Sequence, residues 1–252
     1  MPLNDLQKKE YLASYIRMLS DEKVKDIIEK ENRSGIDHVM MGIIIGILYK
    51  NIMVIGRATN GWHRHQLNTD NLFDGPDRIF DFPEILTKII TDYGISKGFW
   101  KILHGIFEPI FHENWEQYLA YTNYCKLAQG IYNPSNPLAE AQRSHAIKII
   151  DLDIKTTNAK NILILTGCNV KNLFGYYTNP LMTHLLGEDW KSKKIDEKKW
   201  GESPRWRKDW LAQVYKKDNR TIILSEHPDR KFKYDDNHIM TITELLYKHG
   251  NL

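Results

Sequence analysis

Three residues in this sequence have the type and setting for chemistry at the end of a strand. His227 precedes Pro228 and follows the apolar run Arg220-Thr-Ile-Ile-Leu-Ser225. Pro228 fixes its own φ and pushes His227 toward an extended conformation, so the imidazole is expected at a rigid strand terminus. Asn123 closes the β-prone run Tyr118-Leu-Ala-Tyr-Thr-Asn-Tyr124. Its amide offers both a donor and an acceptor, although it could equally cap a turn. Gly56 stops the run Ile52-Met-Val-Ile and, with Gly61, lets backbone approach a ligand where a Cβ would clash. Arg57 comes next, with forked donors suited to a phosphate or carboxylate. Asn60-Gly61 alone also reads as a hairpin turn.

The loop spanning 56–77 carries Trp62, His63, Arg64, His65 and Phe73. Long loops in compact domains are often functional. His63 and His65 raise the question of zinc, but no Cys or third His lies nearby. Incidental imidazoles on a solvated loop are the favoured reading, and no metal is expected. Residues 190–220 hold eleven basic and five acidic side chains, with Trp190, Trp200, Trp206 and Trp210 among them. Cations such as Lys198, Lys199, Arg205 and Arg207 interleaved with aromatics can neutralise phosphates and stack bases. A solvated helix face whose tryptophans point inward fits the same composition.

The elements that must position these residues are legible in outline. Branched apolar runs stopped by a polar or glycine residue fall at 52–55, 118–124, 161–168 and 220–225, as buried parallel strands do. Helical spacing appears over 4–32, with Ser20-Asp21 as an N-cap between two helices, and over 83–93, 99–110, 138–154, 170–177 and 241–249. The run 35–49 is too apolar for periodicity to choose between helix and strand.

The 252 residues suffice for one α/β domain, and no boundary or repeat is evident. Apolar residues at 42% and charged residues at 27% argue against disorder. A net charge of +3 requires any nucleic-acid affinity to come from a local patch. Two cysteines, Cys125 and Cys168, suit a reducing compartment. The first ten residues lack the apolar core of a secretion signal, and the run 39–49 is too short to cross a bilayer. A cytoplasmic monomer without a membrane partner is expected.

The order of motifs resembles the uracil-DNA glycosylase superfamily, most of all its small bacterial and archaeal branches. Ile52-Met-Val-Ile-Gly-Arg-Ala-Thr-Asn60 resembles the first motif, a strand followed by a water-holding loop. Tyr121-Thr-Asn-Tyr-Cys-Lys126, Asn133-Pro-Ser-Asn-Pro-Leu-Ala-Glu140 and Lys160-Asn-Ile-Leu-Ile-Leu-Thr-Gly167 resemble the central segment. Leu224-Ser-Glu-His-Pro-Asp229 resembles the His-Pro motif. The resemblance covers about 50–231. It implies a three-layer α/β/α sandwich with a central four-stranded parallel sheet, and a single-base pocket at one sheet edge. It also implies that Asn123 reads the base edge, with Gly56 and Arg57 beside it, and that Phe73 or Trp62 stacks the base. His227 would donate to the departing base oxygen, on which charge develops.

The departures bear on activity. Relatives carry an Asp, Glu or Asn after the first-motif glycine to position water, whereas here Arg57 and Ala58 follow, and an arginine stays protonated. Asn60 is the remaining candidate to orient water. The two cysteines are too few for the iron–sulfur cluster of some branches, so no cofactor is expected. After His227-Pro228 stands Asp229-Arg230-Lys231, where relatives present a wedge. Arg230 and Lys231 suit phosphate better than intercalation. Two functions are therefore expected in competition. One is a DNA glycosylase removing uracil or another deaminated base. The other is an altered relative that binds a nucleotide or nucleic acid in the same pocket without cleaving it.

Overall fold

A computed structural model describes residues 3–57, 67, 69, 72–73, 98–130, 133–166, 175–203, 208–228 and 234–250. The expected helix at 83–93 and residues 170–174 of the one expected at 170–177 lie outside the described residues. Two N-terminal helices come first, α1 (Asp5–Ser20) and α2 (Glu22–Asn32). Asn4 and Gln7 form a capping box at the start of α1, and the Asp21 carboxylate accepts from Lys23 N and Val24 N at the start of α2. Each cap satisfies amides that have no partner within the helix. Tyr11, Tyr15 and Met18 recur on one face of α1 and are fully buried.

The apolar run after α2 resolves into two short strands, β1 (His38–Met40) and β2 (Ile44–Ile45), followed by β3 (Ile52–Gly56). Then come α3 (Gly98–Phe111), β4 (Leu119–Asn123) and β5 (Leu127–Gln129). The single helix expected at 138–154 is two, α4 (Asn136–Ala141) and α5 (Arg143–Thr157). Gln142 at the break turns its amide to the backbone of Leu127, accepting from N and donating to O at 2.8 Å each. The buried side chain thus stands in for a neighbouring strand at the edge of β5. The chain continues through β6 (Asn161–Ile164), α6 (Gly175–Leu186), β7 (Lys194–Ser203), β8 (Lys208–Lys217), β9 (Arg220–Ser225) and α7 (Asp235–His249).

The main sheet is mixed and has seven strands in the order β2-β4-β3-β6-β9-β8-β7, while β1 and β5 pair separately. The expected four-stranded parallel sheet is present as the centre of this larger mixed sheet, β4-β3-β6-β9. Parallel pairing is confined to β4–β3, β3–β6 and β6–β9, and β2 and the β8–β7 hairpin add antiparallel edges. The hairpin also corrects the helical reading of the tryptophan-rich stretch. Alternate residues of the central strands feed two cores. Met53, Ile55, Ile162 and Ile164 pack with α1, α2, α4, α5 and α6. Ile52, Val54, Leu163 and Ile223 pack with α3 and α7. Helices therefore cover both faces of the sheet. Among the described residues no helix is long and apolar enough to cross a membrane.

Candidate functional site

The carboxyl ends of the parallel strands bring Gly56, Asn123 and the approach to His227 onto one rim. Gly56 and Asn123 are register partners, and pairing continues past the strand ends through Tyr124 N to Gly56 O (2.8 Å) and Cys125 N to Arg57 O (2.9 Å). The same row runs through Leu165, whose N donates to Ile55 O at 3.0 Å, to Ser225 on β9. Asn123 and Ser225 are separated by β3 and β6, so three strand spacings put them about 14 Å apart. His227 lies two residues beyond Ser225.

The Asn123 side chain is fully buried on the α3 side of the sheet. Its Oδ1 accepts from the Tyr121 hydroxyl at 2.5 Å, and its Nδ2 donates to the Met41 sulfur. Burial pushes the Tyr121 hydroxyl well above its usual pKa, so it remains a donor, although its bond to Asn123 opposes the shift. A thioether sulfur can only accept. The two neighbours together fix which end of the amide faces which way. Glycine at 56 makes this arrangement possible: an added Cβ would lie 2.5 Å from the Tyr121 hydroxyl and 2.6 Å from Asn123 Oδ1.

Tyr121 connects this amide to His227 through aromatic contacts. Its ring meets Phe99 of α3 edge-on at 5.7 Å, and Phe99 stacks on the His227 imidazole at 6.1 Å and 26°. Trp100 closes the group, 5.5 Å from Tyr121. His227 is half-buried between Glu226 and Pro228, which are both buried. The strand end that carries it is secured by Ser225, whose hydroxyl lies 2.8 Å from His238 Nε2, and His238 stacks on Trp200 at 3.8 Å and 6°. Tyr121, Phe99 and Met41 were not singled out from sequence. Tyr121 had a readable signal, since it stands two residues before Asn123 and so shares its face on a strand.

Phe73 packs against the core on the α1 side of the sheet, with the Lys8 ammonium 5.9 Å from its ring centroid. Arg57 directly follows the rim and is half-buried. Lys198 pairs with Glu244 of α7, and Lys199 sits 2.6 Å from Asp209 and 3.3 Å from Glu202. Trp190 and Trp200 are buried, Trp190 edge-on to Tyr215 at 5.6 Å. The inward-pointing reading therefore holds for these two rings, on a 3-10 turn and a strand rather than a helix. Asn60, Trp62, His63, His65, Arg205, Arg207, Arg230 and Lys231 lie outside the described residues.

No protein-family model matches the sequence, and no curated protein matches it.

Proposed function

We propose that the rim holds a nucleobase and that the chain is a glycosylase of the uracil-DNA glycosylase kind, hydrolysing the N-glycosidic bond of uracil or another deaminated base in DNA. The observation that carries this reading is the buried Asn123 amide, held in a fixed orientation against Gly56 on the rim that leads to His227. One lone pair of Oδ1 and one hydrogen of Nδ2 remain beyond those the protein uses, which suits a base edge presenting one donor and one acceptor. His227 would donate to the base oxygen as charge leaves the sugar. Its stacking on Phe99 holds the ring plane. Asn60 is the residue proposed to orient water.

A second reading, binding without cleavage, is favoured by Arg57. A permanent cation directly after Gly56 cannot take a proton from water, yet it can grip a phosphate. The two readings separate in one experiment. Protein is incubated with single- and double-stranded oligonucleotides containing uracil, hypoxanthine or xanthine, and free base is measured beside His227→Ala and Asn123→Ala. Release that both substitutions abolish supports the glycosylase. Binding of the same oligonucleotides with no release from any of them leaves the second reading.

A further inference from the structure

Two tyrosines of α1 reach across the core to the surroundings of Asn123. Tyr11 and Tyr15 are four residues apart, so they share one face of the helix, and both are fully buried. The Tyr15 hydroxyl donates to the carbonyl of Met41. Met41 is the residue whose sulfur meets the Asn123 amide, and its backbone N donates to Lys126 O at 2.9 Å. The Tyr11 hydroxyl donates to Asp153 Oδ1 at 2.8 Å. The other oxygen of Asp153 accepts from Thr122 at 2.8 Å and from Lys126 at 2.7 Å, and Lys126 also donates to Thr122 at 2.5 Å. Thr122 immediately precedes Asn123, and Lys126 ends the turn after it. The Tyr15 hydroxyl thus bonds the residue whose sulfur meets the amide, and the Tyr11 hydroxyl ends a buried cluster of Asp153, Lys126 and Thr122 that grips the β4 backbone on either side of Asn123 from the opposite face of the sheet.

We propose, resting on the base-binding reading above, that Tyr11 and Tyr15 are positioning residues that hold the Asn123 amide in its base-reading orientation, making α1 part of the site. Rings alone would fill this core as phenylalanines, and burying a phenol hydroxyl costs free energy unless it is hydrogen-bonded. The Tyr15 hydroxyl spends its proton on Met41, which touches Asn123, and the Tyr11 hydroxyl spends its proton on Asp153, which holds Thr122 and Lys126 on either side of Asn123 in the chain. Burial raises the pKa of both phenols, which keeps them donors.

The test uses the full chain with Tyr11→Phe, Tyr15→Phe and a control, Tyr49→Phe, whose ring packs against the same core. The side-chain NH2 signals of Asn123, assigned by their loss in Asn123→Ala, are followed by NMR for shift and solvent exchange. Release of uracil from an oligonucleotide is measured in parallel. Tyr15→Phe and Tyr11→Phe are expected to move those signals, speed their exchange and lower kcat/KM for release by about tenfold, while the control does none of these. Unmoved Asn123 signals in both variants overturn the inference whatever the activity. Signals that move in a protein releasing no base uphold the positioning role and remove the glycosylase reading. Should the tyrosine variants not fold, Met41→Leu deletes the sulfur acceptor at similar volume and is read by the same signals.

Discussion

A methyl group at position 56 would sit within 2.6 Å of two polar atoms, the Tyr121 hydroxyl and Asn123 Oδ1. Both belong to side chains that are fully or almost fully buried, so neither can swing into solvent. Gly56→Ala is therefore expected to turn the amide away or to spread β3 from β4. Overpacking of this kind costs about 1–3 kcal/mol, which urea denaturation would resolve as a lower midpoint at unchanged slope. The same variant is expected to lose base release more completely than stability, because the displaced atom is the proposed reading group. Full activity in Gly56→Ala would show that the amide position does not matter.

Among the elements, β4 is tied to α5 by a buried ion pair. Lys126 and Asp153 are both fully buried and 2.7 Å apart, tying the exit of β4 to α5. Burial pushes the Lys126 amine down, while the neighbouring carboxylate opposes that shift. Removing one partner of such a pair strands a charge and costs about 3–5 kcal/mol, whereas removing both can be far milder. Asp153→Asn is expected to fall in that range, and Lys126→Met with Asp153→Leu to cost less than the sum of the two single changes. Thermal unfolding of the four proteins in a double-mutant cycle measures the difference. The four parallel strands that frame this contact were readable because each is an apolar run cut off by a polar or glycine residue. So were the Asp21 cap of α2 and the rim residues Gly56 and Asn123. The β7–β8 hairpin was not: register shifts between Lys194 and Asp196 and between Lys199 and Gly201 break the two-residue alternation that marks a strand. The aromatic contacts of Phe99 were hidden for another reason, since nothing local in α3 tells which strand its first turn will meet.

At the scale of the whole molecule, distant segments are tied by carboxylates with depressed pKa values. Burial alone would raise Glu31 at the end of α2, but bonds to Ser135, Gln129 and His38 outweigh it and hold it below the usual 4.5. Asp196 of β7 is lowered by Lys248 and His249 at the end of α7. A depressed folded-state pKa gives stability that is present above the unfolded value and is lost as pH falls through the folded one. The melting temperature is thus expected to drop below pH 4.5, and Glu31→Gln to flatten that acid limb while lowering the plateau.

The distribution of paired charge also sets an expectation for nucleic acid. Lys198 and Lys199 are each committed to a carboxylate on the same surface, so phosphate would have to displace Glu244, Asp209 or Glu202 to reach them. Each lysine that contacts phosphate contributes about 0.9 to the slope of log K against log salt. Replacing both by alanine is therefore expected to leave that slope unchanged, as measured by fluorescence anisotropy of a labelled oligonucleotide across a salt series. A slope reduced by about two would place the hairpin in the interface after all, and its ion pairs would then be contacts that DNA exchanges on binding.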